Sequence, residues 1–89
     1  MATIRFTANI QRHVDCPHRE VTGQTVGQVL DSYFRDNARA RGYVLDEQGA
    51  IRKHMVVFVD GELVEDREGL SDVVGPESVV DVIQALSGG

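Results

Sequence analysis

The apolar positions change period along the chain, and each change marks an element. Thr3-Ile4-Arg5-Phe6-Thr7 alternates with period two in β-favouring types, which predicts a strand. Asn9 to His18 is polar and holds a proline, so a loop is expected. Arg19-Glu20-Val21-Thr22 predicts a short returning strand ended at Gly23. From Thr25 the period becomes helical. Gln28 stands three residues after Thr25, the capping-box spacing, and Val26, Val29, Leu30, Tyr33 and Phe34 make one apolar stripe. This predicts a helix of about three turns ending between Asn37 and Gly42, with Gly42 as C-terminal cap. Gly27 in its first turn suggests a close approach to a sheet.

Residues 43–53 are mixed and polar, with a turn at Gly49. Met55-Val56-Val57-Phe58-Val59 is apolar throughout and predicts a strand that is central in the sheet or covered. Asp60-Gly61 follows at once and Glu62-Leu63-Val64 returns, which is a strong hairpin signal because both turn positions need positive φ. Leu70 to Val74 suggests one short helical turn, broken at Gly75-Pro76-Glu77. Ser78 to Ile83 is the last strand. One main helix can cover one face of a four- or five-stranded mixed sheet, so the class is α+β. The expected core comprises Ile4, Phe6, Val21, Val26, Val29, Leu30, Leu63, Leu70, Val80 and Val82. The expected domain is 1–83, followed by a thin tail over 84–89.

Composition narrows the function. The 89 residues suit one small domain. No apolar run approaches the length of a membrane span, and the N-terminus has no secretory pattern. A single cysteine, Cys16, excludes an internal disulfide and a cysteine-held iron–sulfur cluster, and fits a reducing cytoplasm. The net charge of −5 argues against nucleic acid. That charge is uneven. Residues 60–89 carry eight carboxylates against Arg67 alone, whereas residues 1–59 are slightly basic. Such a C-terminal third would steer the chain to a basic partner surface, or simply keep it soluble.

Conventional chemistry finds little support. His13, Cys16 and His18 share one loop in a spacing that matches no strong zinc pattern, and an exposed polar loop with incidental residues explains them better than a metal site or an activated thiol does. There is no glycine-rich phosphate loop. The terminal Gly88-Gly89 is different. With nine glycines in the chain, chance places a pair there about once in a hundred sequences. Glycine buries no side chain and is costly to order, so the pair adds nothing to the fold. It does suit a carboxylate that must enter a narrow channel in another protein.

Together, Thr25-Val26-Gly27-Gln28-Val29-Leu30, Val57-Phe58-Val59-Asp60-Gly61, the Leu70 turn, the Ser78-to-Ile83 strand and Ser87-Gly88-Gly89 resemble the ubiquitin-like β-grasp sulfur carriers, the MoaD/ThiS-like proteins. Those include the small subunit of molybdopterin synthase and the carriers of thiamine and cysteine synthesis. The likeness runs from Ile4 to Gly89. Gln84 stands where the family often has a proline, and Gly75-Pro76-Glu77 replaces its usual Gly-Asp turn. The resemblance implies a co-substrate with no bound cofactor. An E1-like adenylyltransferase would use ATP to activate the Gly89 carboxylate, a persulfide source would supply sulfur, and a downstream biosynthetic enzyme would accept it. Gly88 and Ser87 would thread the channel, while Leu86, Glu77 and Asp81 would touch the partner. Two alternatives stay open: a modifier joined through Gly89 to target lysines, with Lys53 its only lysine, and a β-grasp interaction module with an inert tail.

Overall fold

The computed structural model describes residues 1–85. Five strands form one mixed sheet: β1 (Ala2–Phe6), β2 (Arg19–Val21), β3 (Met55–Val59), β4 (Glu62–Leu63) and β5 (Val79–Gln84), in the order β2-β1-β5-β3-β4. β5 lies at the centre, parallel to β1 and antiparallel to β3. The main helix is α2 (Val26–Arg35), with shorter helices α1 (Ala8–Gln11) and α3 (Ala38–Val44). The architecture is the α+β arrangement expected, a five-stranded mixed sheet with its main helix on one face.

The apolar stripe of α2 is wholly buried at Val26, Val29, Leu30, Tyr33 and Phe34. It meets Ile4, Phe6, Val57, Val80 and Val82, which alternate onto the same face of the sheet. The N-terminal turn of α2 is capped from two sides. Gln28 N–H donates to Thr25 Oγ1 at 3.2 Å, and Gln28 Oε1 reaches back to Gln24 N–H, one residue before the cap, at 2.8 Å. The loop after β4 takes the remaining donors: Val26 N–H donates to Asp72 O and Gly27 N–H to Leu70 O, at 3.0 and 2.9 Å. These satisfy amides that a helix start otherwise leaves unpaired. They also explain Gly27. A Cβ there would lie 3.3 Å from both Leu70 Cβ and Leu70 O, so the close approach is to this loop and not to the sheet.

Several expectations change. The segment 9–18 is more than a loop. It contains α1, and Ile10, Val14 and Cys16 enter the core. The long helix stops at Arg35, because Asn37 at φ −147 and ψ 59 leaves the helical path. Gly42 sits inside α3, exposed, and caps nothing in α2. Residues 43–53 are less polar in place than in sequence: Val44, Leu45 and Ile51 are buried, and Leu45 bridges Ile51 around a turn at Gly49, φ +84. Leu70–Val74 contains no helical turn. Leu70 is held at φ +56 with its side chain buried, a sparsely populated conformation for leucine.

The hairpin is as read. Asp60 and Gly61 both have positive φ, 51° and 85°, and join β3 to β4. Their turn fixes the register Phe58↔Leu63 and Val59↔Glu62. Leu63 therefore falls on the face away from the helices, 56% exposed, and Val64 takes the core position assigned to it. β3 is interior to the sheet, paired with β5 and β4, as one of the two expectations had it, but it is not covered on both faces: Val57 is buried, while Val56 and Phe58 are only half-buried. No helix among the described residues is long and apolar enough to cross a membrane.

Candidate functional site

The last strand leads into the segment that holds most of the expected site. β5 runs in the middle of the sheet, clamped at its start and at its finish. At the start, the Asp60 carboxylate accepts from Ser78 Oγ at 2.7 Å and from Val79 N–H at 2.9 Å. These two donors hold the Asp60 carboxyl below its ordinary range, the Val79 amide contributing most. At the finish, Gln84 pairs with Met55, and Ala85 N–H donates to His54 O at 2.8 Å. The strand thus includes Gln84, one residue past the boundary drawn at Ile83. The Gln84 side chain turns to the helical side. Its Oε1 accepts from Tyr43 OH of α3 at 3.2 Å and from Asn9 Nδ2 of α1 at 3.3 Å. The His13 ring stacks on Tyr43, with centroids 5.8 Å apart. Leu86, Ser87, Gly88 and Gly89, the remaining residues of the expected site, lie outside the described residues.

The sheet face opposite the helices has no protein layer over it among the described residues. By strand alternation and register it presents Val56 beside Ile83, and Phe58 between Asp81 and Leu63. Arg5 and Asp81 cross this face as a two-point pair, Nε to Oδ1 at 2.7 Å and Nη2 to Oδ2 at 3.0 Å. The pair raises the Arg5 guanidinium pKa, chiefly through its hydrogen bond to Asp81. Asp81 is therefore already partnered within the chain, whereas Glu77 stands exposed at the turn before β5. The apolar residues of this face were not singled out as a surface in the sequence. Val56 and Phe58 were hidden in a run that reads apolar on both sides, and Leu63 was assigned to the core.

The loop cluster does not assemble. His13 stacks on Tyr43, His18 Nε2–H donates to Phe6 O at 3.1 Å, and Cys16 points into the core at 1% exposure. Burial pushes the Cys16 thiol up to about 11, with a smaller contribution from Asp15, which is opposite to what a nucleophile needs. Among the described residues no three His, Cys, Asp or Glu side chains are grouped to hold a metal.

A mixed sheet of this strand order, wrapped over one main helix and ending in a central strand that delivers the C-terminal segment, defines a ubiquitin-like β-grasp domain. The ThiS family model matches residues 4–89, and the chain belongs to the ThiS family, whose members are ubiquitin-like sulfur carriers and modifiers. Solved structures agree on the fold. A chain of the Amycolatopsis orientalis BexX/CysO complex superposes with a TM-score of 0.83 at 21% identity, covering 100% of both chains. Mycobacterium tuberculosis CysO gives 0.80 at 17% identity, over 97% of this chain and 100% of that one. Haloferax volcanii SAMP1 gives 0.76 at 20% identity, over 99% and 98%. No curated protein sequence matches significantly.

Proposed function

We propose that this protein is a sulfur carrier that reacts through the carboxylate of Gly89. The observation that carries the reading is the family match, which extends over the whole domain and through Gly88-Gly89. The carrier binds no cofactor itself. An E1-like adenylyltransferase supplies ATP, the Gly89 carboxylate oxygen attacks the α-phosphorus, and pyrophosphate leaves. The terminal sulfur of a persulfide displaces AMP to give an acyl disulfide, and a thiol reduces this to the thiocarboxylate. The sulfur then passes to a biosynthetic acceptor enzyme. Molybdopterin, thiamine, cysteine and related products all suit this chemistry. The reducing cytoplasm is the matching compartment for a thiol-dependent step and an unpaired cysteine.

Each part of the chain has a stated task in this reading. Gly88 and Ser87 present little bulk to a narrow channel. Leu86 packs on the partner beside the tail. The open sheet face, with Val56, Phe58, Leu63 and Ile83, docks on the activating enzyme, since an exposed apolar surface ringed by polar groups marks such a contact. Glu77 adds steering charge, with Asp81 contributing less because Arg5 offsets it. Intact mass of the protein from its native cells tests the reading. A species with sulfur in place of one oxygen, located at Gly89, supports it. A ladder of conjugates to target lysines would establish the modifier instead, and an unmodified carboxylate with no dependence on Gly88-Gly89 would leave an interaction module.

A further inference from the structure

The last strand ends among polar side chains that the core does not require. Gln84 is half-buried on the helical side of the sheet, and its Oε1 takes hydrogen bonds from two separate helices, through Tyr43 OH and Asn9 Nδ2. Tyr43 packs against the core and is stacked by His13, so its hydroxyl is held in place before it meets Gln84. On the other strand, the His54 carbonyl binds Ala85 N–H and carries the ladder one residue past β5. Three segments distant in sequence, α1, α3 and the entry to β3, thus converge on two consecutive residues at the point where the chain leaves the sheet.

We propose that Gln84, Tyr43 and Asn9 are positioning residues that aim the C-terminal segment, and that they set how efficiently the docked carrier delivers Gly89 to the adenylating centre. The proposal rests on the carrier reading above. Its physical basis is reach and direction. Holding Gln84 and Ala85 to the body leaves four residues, 86–89, to span to the reacting centre instead of six. Four residues fully extended reach about 14 Å at most. The effective concentration of a tethered group falls as roughly the −3/2 power of the lead length, so lengthening it from four residues to six lowers delivery about two-fold before any loss of direction is counted. Only acceptor oxygen on Gln84 is used, which predicts which substitutions are tolerated.

The test is kcat/KM for adenylation of the full-length carrier by its E1-like enzyme, with 15N order parameters of Gln84 and Ala85 in the free protein. Tyr43→Phe keeps the ring and removes the donor. Gln84→Leu keeps the bulk and removes the acceptor. Both are expected to lower kcat/KM, toward the about two-fold limit of full release, and to lower the order parameter of Ala85. Gln84→Glu keeps the acceptor and is expected to retain both values, a rescue that a purely space-filling role would not produce. Equal kcat/KM in wild type, Tyr43→Phe and Gln84→Leu would overturn the proposal, and so would a Gln84→Glu protein as impaired as Gln84→Leu. A wild-type chain that no adenylating enzyme accepts would overturn the carrier reading itself, and this proposal with it.

Discussion

Cys16 should be nearly silent toward alkylation in the folded protein, which makes the native chain a clean reporter for sulfur at Gly89. The perturbation is iodoacetamide at about pH 8, where an ordinary thiol of pKa ~8.5 is roughly one-quarter thiolate. With the Cys16 thiol pushed up to about 11, its thiolate fraction falls to about one in a thousand, a loss of about two hundred-fold. A more basic thiolate is intrinsically more nucleophilic, with a Brønsted slope of ~0.4–0.5, which recovers about ten-fold. Ionisation alone therefore slows labelling about twenty-fold. The 1% exposure of the side chain slows it further, because reagent must wait for local opening. The assay is an intact-mass time course on native protein beside protein unfolded in urea. Native Cys16 labelling within a few-fold of the unfolded chain would refute the burial argument. A native chain that labels quickly at one site other than Cys16 would carry the thiocarboxylate.

Other outcomes follow from particular contacts. Gly23→Ala places a Cβ 2.7 Å from Val29 N and 2.9 Å from Val29 Cγ2, so thermal melting should show a loss of about 1–3 kcal/mol from overpacking at the start of α2. Thr25→Ala removes the cap on Gln28 N–H and should cost about 1 kcal/mol, read as a lower urea midpoint with unchanged slope. Asp60 and Asp66 both have folded-state pKa values lowered by hydrogen bonds, to Val79 and Ser78 for Asp60 and first to Ser71 for Asp66. Their stabilisation is present above the unfolded carboxylate value near ~3.9 and is lost as pH falls through the lowered values, so Asp60→Asn and Asp66→Asn should flatten the acid limb of a melting-temperature profile. Leu63→Asp on the open sheet face, where the side chain is 56% exposed, should cost little in melting temperature and, on the carrier reading, weaken binding to the activating enzyme, as measured by calorimetry.

The parts legible in the sequence are those with a long or chemically specific signal. The α2 stripe spans nearly three turns, and Asp60-Gly61 needs a backbone that few residues adopt, so both could be read without tertiary information. The misread parts depend on contacts far along the chain. α1 is one turn long and shows no period, yet Ile10, Val14 and Cys16 find the core because β1 and β5 lie beside them. Leu63 and Val64 are adjacent and both apolar, and only the hairpin register decides which faces the helices. The role of Gly27 depended on knowing that the Leu70 loop folds back over the helix start. At the candidate site, the glycine pair was visible as composition, whereas the hydrogen bonds at Gln84 join residues more than forty apart in sequence or come from separate helices, and no local pattern announces them.

The central place of β5 has a kinetic consequence. Within the sheet, β1 comes first in the chain and its parallel neighbour comes last, with Thr3 set against Val79 and Phe6 against Val82. Neither β1 nor β3 can reach its central neighbour until the final strand is available, so the sheet closes late and through long-range pairings, which fold slowly. A nascent or prematurely stopped chain lacking β5 would hold two detached hairpin fragments with their apolar faces uncovered, a species suited to chaperones and proteases. The strand that leads to Gly88-Gly89 also completes the sheet, so if Gly89 is the reacting group, a chain that carries it has every strand of the sheet available.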